Sequence, residues 1–337
     1  MKYSGIDLHS TNSVVVVMDE AGRVLAERRL ANELGKVVGF LQPWRDELAA
    51  VAVESTYNWY WLVDGLEAAG FRVQLANTGA IKQYDGLKHS GDETDARHLA
   101  ELLRLGILPT GTILPPAQRA IRDLSRKRMQ LVRSRTAHIL AVENIVARQL
   151  GARISSNQVK RLTEDGIDLL ALPADVGLAV KSNVVVITTL NEQIERLERR
   201  LRESVGARPD YALLQSVPGI GNILATTILL EIGTIERFAG VGNFASYARC
   251  VDSRRVSNGK KKGEGNTRNG NQYLAWAFVE AANFALRYCA EAKRFYERKK
   301  AKTNAVVAVK ALAHKLARAC YHILKEGKPF AVTRCFA

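Results

Sequence analysis

Four carboxylates stand where an ordinary core would not place them. Asp7 lies between Ile6 and Leu8 in an apolar strand, Glu54 closes the run "AAVAVE", and Asp92 and Asp95 sit three apart at the head of an apolar helix. Hard divalent cations favour such oxygen clusters, and two Mg²⁺ ions can clamp the attacking and leaving oxygens of a phosphoryl transfer. Each acid also has a structural reading. Asp92 with an acid at the third helical position resembles an N-cap, which stabilises a helix start by about 1 kcal/mol. Glu54 reads equally as a strand terminus. Asp7 resists that treatment, because a charge inside an apolar strand needs a partner. His9 shares the strand face of Asp7 and is either an assistant or a surface histidine. A second candidate is a serine, Ser257 or Ser253, set among arginines and lysines that can stabilise charge developing on an attacked phosphate. A polar loop serine is the plain alternative.

The elements that must position the acids follow from pattern. "KYSGIDLHS", "NSVVVVMDEAG" and "RVLAERRL" predict three consecutive strands with a turn at residues 19–22. A helix broken at Pro43, the strand ending at Glu54, a helix from Trp59 to Ala69, the strand "FRVQLA" and the helix carrying Leu99, Leu102 and Leu103 follow. Three antiparallel strands followed by alternating β and α units predict a mixed α/β sheet. No G-x-G-x-x-G opens a helix, which sets dinucleotide folds aside. Strand order and acid positions over about residues 1–105 are similar to RNase H-like nucleases, especially the RuvC-like resolvases.

From Ala117 to about Arg208 the chain predicts basic, amphipathic helices. Residues 122–151 and 188–205 have the spacing to pack antiparallel within the chain or to pair with a second chain. Their arginines either track phosphates or keep the helices soluble. "LLQSVPGIGNILATTILLEIG" predicts a helix-hairpin-helix element, in which Gly219 and Gly221 let backbone N–H groups approach a phosphate. Arg249 to Arg268 then carries seven Lys or Arg against two acids, with Arg254, Arg255, Lys260, Lys261, Lys262 and Arg268 as phosphate contacts. This segment reads as a polar loop ahead of an apolar helix.

Lys+Arg 49 against Asp+Glu 34 leaves +15, which points to a polyanionic partner, nucleic acid first. The four cysteines have no metal-type spacing, so the expectation is reduced thiols and no zinc. "MKYSGIDLHS" lacks a secretory pattern and no apolar run reaches about 18 residues, so a soluble, cytoplasmic protein without membrane contact is expected.

Together these motifs resemble the DEDD transposases of bacterial insertion sequences, relatives of the pilin-gene invertases. "GIDLH", "AVES" and "GDETDARHLAELL" match the family's four-acid pattern, and "SVPGIGNILATTILLEIG", "FASYARCV" and "SNGKKKGEGNTRNGNQYLAWAFVEAA" match its second domain. The resemblance implies a RuvC-like domain and a serine-bearing domain, with Asp7, Glu54, Asp92 and Asp95 binding Mg²⁺ or Mn²⁺. Ser257 fits the nucleophile, with Ser253 as the alternative, because "CVDSRRVSNGK" lacks the family's proline and serine pair. It also implies DNA as substrate and a structured guide RNA from the element, while the amphipathic helices add the expectation of a homo-oligomer, a dimer or tetramer. The expected division is 1–110 RuvC-like, 111–208 helical connector, and 209–337 transposase domain with the serine loop. The competing readings are a two-metal RuvC-like nuclease without a covalent intermediate, and a non-enzymatic basic DNA- or RNA-binding protein.

Overall fold

Strand formation in the N-terminal part follows from side-chain parity. The computed structural model describes residues 1–81, 91–251, 255–263 and 269–336, with the backbone alone for Arg255, Val256 and Lys261. The chain divides into two compact units, residues 1–116 and 117–337. In the first, β1 (Lys2–Leu8), β2 (Asn12–Asp19) and β3 (Val24–Ala31) form an antiparallel meander. Next come α1 (Leu34–Leu41), a 3-10 turn containing Pro43, β4 (Leu48–Glu54), α2 (Tyr60–Ala68), β5 (Val73–Ala76) and α3 (Asp92–Arg104). β4 runs parallel to β1 and β5 parallel to β4, giving the order β3-β2-β1-β4-β5. The helix stops before Pro43 because proline supplies no N–H and disfavours helical backbone in the residue before it.

This sheet is covered on both faces, so its central strands read as continuous apolar runs. Ile6, Leu8, Val15, Val17, Val51 and Val53 pack with α1 and α2 residues such as Val37, Leu41, Leu62 and Leu66. Residues of opposite parity are small, and Ala50, Ala52 and Ala76 pack with Leu99 and Leu103 of α3. Val14 and Val16 meet Ala96 of the same helix. Gly5 decides how near α3 can come. A Cβ there would lie 2.1 Å from the Ala96 carbonyl oxygen and 2.6 Å from the Ala100 nitrogen. Only a glycine on β1 admits the helix backbone at that distance.

The second unit is helical. It contains α4 (Pro116–Leu150, its first residue closing the first unit), α5 (Ser156–Val159), α6 (Glu164–Asp168), α7 (Ala174–Val205), α8 (Pro209–Gln215), α9 (Asn222–Ile232) and α10 (Val241–Tyr247). A hairpin of β6 (Arg255–Ser257) and β7 (Lys260–Gly263) follows, then α11 (Gln272–Tyr288), α12 (Ala290–Lys302), α13 (Ala305–Glu326) and α14 (Val332–Phe336). α4 and α7 pair antiparallel within the chain: Arg128 bonds Glu198 at 2.6 Å, Arg135 bonds Asn191 at 2.8 Å and His138 contacts Asn183 at 2.9 Å. Arg126 likewise turns inward to Glu231. Three of the arginines offered by the sequence for phosphates or solubility therefore tie helices together. Two cores are distinct here, one spanning Ile139 to Ile187 and a larger one spanning Leu201 to Ile323.

The expected loop between Arg249 and Arg268 contains the β6–β7 hairpin, a feature that the charge pattern concealed. Asn258 and Gly259, at φ of 49° and 70°, make its two-residue turn. Positive φ at both central positions is what a type I′ turn requires, and Asn-Gly is its preferred sequence.

Candidate functional site

Strand parity puts two of the four acids, Asp7 and Glu54, on the α3 side of the sheet. Gly5 and Asp7 have one parity on β1, and Ala50, Ala52 and Glu54 have the matching parity on β4. The parallel register ends at Ile6 opposite Val53, so Asp7 and Glu54 are the next residues along neighbouring strands. α3, admitted by Gly5, sets its first turn over the same strand ends and brings Asp92 and Asp95 there.

Asp7 is 4% exposed, and its Oδ2 has no hydrogen-bond partner. His9 Nε2 lies 3.1 Å from that oxygen and 3.2 Å from Asp92 Oδ2, and it too lacks an aligned hydrogen bond. These three residues present ligand atoms within 4.8 Å of one another. The Glu54 carboxyl bonds Asp7 and receives the Leu8 backbone N–H. Burial pushes Glu54 up to about 8, followed by the Asp7 hydrogen bond and the charges of Asp7 and Asp95. Asp95, open to solvent on one side, is also raised, first by partial desolvation and then by the charges of Asp7 and Asp92. Asp92 moves the other way, because the Arg29 guanidinium donates to its Oδ2 at 2.7 Å.

This donor set fits a hard divalent cation. Carboxylates crowd one another until one must hold a proton, and a buried oxygen points at no donor. A bound cation relieves both conditions.

The helix-cap reading of Asp92 does not hold. Gly91 is the N-cap, no side chain caps the helix, and Asp92 is the first helical residue. Its carboxylate turns to Arg29 and His9, and only the favourable placement of acids near the helix dipole remains.

His9 is more firmly built in than its sequence position indicates. The Asn32 and Asn58 amides each donate to its carbonyl oxygen at 2.9 Å. Asn32 is held in turn by Ser13 at 2.7 Å, and Asn58 by Thr56 at 2.9 Å. Sequence reasoning missed Arg29, Asn32 and Asn58. The only available signal was parity, which aims Arg29 of β3 at the same sheet face as the acids.

The remaining candidates lie in the second unit. Ser257 ends β6 opposite Lys260, and Ser257, Lys260 and Lys262 are exposed. Arg255 and Lys261 belong to the hairpin backbone, while Ser253, Arg254 and Arg268 lie outside the described residues. Gly221 caps α9 and is open to solvent. Gly219 has φ of 90°, and a Cβ there would lie 2.3 Å from the Ala281 carbonyl oxygen of α11. Its lack of a side chain thus serves helix packing.

Among the described residues no helix is long and apolar enough to cross a membrane. All four cysteines are free, and burial raises the thiols of Cys250, Cys320 and Cys335.

Two family models match the chain. One, of DEDD type and described as "Transposase", covers residues 4–148; the other, described as "Transposase IS116/IS110/IS902 family", covers residues 211–297. A probable family 20 transposase of Pseudomonas aeruginosa is 25% identical, over 82% of this chain and 84% of that protein. The transposase for insertion sequence element IS1111A of Coxiella burnetii is 23% identical, over 86% and 79%. The transposase for insertion sequence element IS1328 of Yersinia enterocolitica is 23% identical, over 97% and 98%.

Proposed function

This chain belongs to the DEDD transposases of insertion sequences and is a DNA transposase, and we propose that it cuts and rejoins DNA with a Mg²⁺-binding acid cluster and a serine nucleophile. The observation that carries this reading is the convergence of Asp7, Glu54, Asp92 and Asp95 around an unpartnered buried oxygen. The sheet order, with three antiparallel strands and two parallel ones between helical layers, supports an RNase H-like fold of the RuvC type. The α8–turn–α9 element supports a helix-hairpin-helix that holds DNA backbone through the open α9 start at Gly221.

Asp7, Glu54, Asp92 and Asp95 would hold the cation, with His9 Nε2 in reach as a further ligand. When bound, Mg²⁺ neutralises charge developing on a reacting phosphate. Glu54 would hold a proton while the site is without a cation and would release it on binding one. Arg29 fixes the Asp92 carboxylate, and the Asn32 and Asn58 amides fix the backbone of His9. Ser257 Oγ attacks a phosphodiester: an Oγ–P bond forms, one P–O ester bond breaks, and the hydroxyl proton ends on the released DNA hydroxyl. Lys260 and Lys262 flank the attacked phosphate, with Arg254, Arg255, Lys261 and Arg268 completing the basic segment, and Ser253 is the alternative nucleophile.

We assign residues 111–208 to a connector and 209–337 to the transposase domain, a division that falls near the break between the two helical cores. A guide RNA from the element, a homo-oligomer and a cytoplasmic location complete the reading.

The direct test is Mg²⁺-dependent cleavage of element-end DNA by Asp7→Asn and Glu54→Gln variants. We expect cleavage to fall by about 10²-fold or more with DNA binding retained, since these groups act on developing charge. Unchanged cleavage in both variants contradicts the assignment.

A further inference from the structure

Where the chain leaves the basic segment lies a buried carboxylate that the acid cluster does not use. Glu231 on α9 is 4% exposed between Leu230 and Ile232, a position where an unpaired charge is very costly. It is fully partnered. Arg126 donates from Nε to Oε1 and from Nη2 to Oε2, both at 2.7 Å, and Asn271 Nδ2 donates to Oε2 at 2.7 Å. The Arg126 guanidinium also lies 4.5 Å above the Tyr273 ring.

Asn271 is where the basic segment re-enters the fold. Its Oδ1 accepts the N–H groups of Tyr273 and Leu274 at 2.9 and 3.0 Å, starting α11. Its own backbone N–H donates to the Tyr247 carbonyl at 2.6 Å, joining the exit of the segment to its entry. One residue earlier, a Cβ on Gly270 would lie 2.6 Å from that same Tyr247 oxygen, so the two chain ends touch. Arg249 Nε donates to the Asn269 carbonyl at 3.0 Å and closes the ring a second time.

We propose that Glu231, Arg126 and Asn271 form a clamp that fixes the ends of the basic segment carrying Ser257, and that they are positioning residues for the serine attack. The proposal rests on the reading of Ser257 as nucleophile. A side chain carried on a segment is only as well placed as the ends that anchor it, and small misplacements lose much of an oriented reaction's rate. An amide donor bound to a carboxylate held by a bidentate guanidinium gives Asn271 one rotamer. A neutral apolar pair at positions 231 and 271 would pack helices equally well but would not specify the register of the loop.

The test uses the full-length protein and element-end DNA with Mg²⁺. Asn271→Asp keeps the acceptor that starts α11 but faces Glu231 with a second carboxylate. Adding Glu231→Gln restores a donor and acceptor with reversed polarity. Hydrogen exchange is followed at residues 255–263 and at Asn271, together with the rate of covalent protein–DNA adduct formation at saturating DNA. In Asn271→Asp we expect exchange in the hairpin and at residue 271 to rise about tenfold and adduct formation to fall about tenfold, with the core amides of α9 and α11 unchanged. The double variant should return both towards wild type. Asn271→Ser, which keeps a capping oxygen and loses the amide, serves if Asn271→Asp does not fold, and its expected signature is the same. Unchanged hairpin exchange, or equal acceleration in α9 and α11, overturns the clamp. Exchange that responds as expected in a protein whose adduct forms without Ser257 supports the clamp and removes the nucleophile reading instead.

Discussion

Gly5 of β1 and Ala96 of α3 meet backbone to side-chain position, with the Ala96 carbonyl oxygen 2.1 Å from where a Gly5 Cβ would stand. This one approach sets the acid cluster. Asp7 lies two residues further along the strand on the same face, Asp95 is the residue before Ala96, and Asp92 lies one turn back along the helix. Gly5→Ala must therefore lift α3 off the sheet. We expect it to cost about 1–3 kcal/mol by overpacking and to weaken Mn²⁺ binding, read by thermal unfolding and by metal titration of the purified protein. A variant that keeps wild-type stability and metal affinity would show that the helix has no need of that contact.

Glu54 gives a pH dependence of known sign. Its folded-state value is pushed from 4.5 to about 8. Between those values the cation-free folded protein keeps a proton that the unfolded chain has released. Its contribution to stability is complete below about 4.5 and is lost as pH rises through about 8. Asp95, raised for the same reasons, acts in the same direction. Unfolding in chelator at pH 5 and pH 8 should show a larger loss for wild type than for Glu54→Gln, and Mg²⁺ should reverse the difference. A wild-type loss no larger than that of Glu54→Gln contradicts the proton assignment.

Arg29 would compete with a bound cation for Asp92. It holds Oδ2 at 2.7 Å and contacts Glu93 at 3.3 Å on an open surface. Removing one positive charge close to another charge in a watery environment is worth about 1 kcal/mol per unit charge. Arg29→Ala should thus tighten Mn²⁺ binding by several-fold in isothermal titration, an effect that shrinks with added salt. Weaker binding would instead make Arg29 a support that Asp92 needs in order to face the cation.

The Asn258–Gly259 turn tests whether the serine must sit on a formed hairpin. Gly259→Pro imposes a φ near −65° where the turn has 70°. The site is exposed, so the expected change in global stability is within about 0.5 kcal/mol. Adduct formation should nevertheless drop at least tenfold, by analogy with other losses of oriented reactivity. An active variant would show that the hairpin is dispensable.

Much of this was legible in the sequence, and the reasons are physical. Parity in β1 and β4 gave the strands, and the β-branched run of Val14 to Val17 marked a strand buried on both faces. Pro43 marked the helix break, and the acids were visible because Asp7 interrupts an apolar strand, Glu54 ends one, and Asp92 and Asp95 head an apolar helix. The serine hairpin was concealed because lysines dominate its composition, although "VSNGKK" carries the strongest short hairpin signal in the segment. Arg29, Asn32 and Asn58 were missed because they act through contacts across 17 to 63 residues of chain, and no local pattern encodes those. The packing of Gly219 against α11 was hidden because the Ala281 backbone it faces is 62 residues away (281 minus 219).

The central claim is a covalent serine–DNA intermediate formed by a protein that carries a metal-binding acid cluster. The most direct measurement incubates the protein with Mg²⁺, element-end DNA and RNA transcribed from the flanking non-coding region. The product is then denatured and the DNA-bearing peptide identified by mass spectrometry. A nucleotide on Ser257, absent in Ser257→Ala and in Asp7→Asn but kept in Ser253→Ala, is the predicted result. Cleaved DNA with no protein attached would contradict it and make the acid cluster a hydrolytic nuclease.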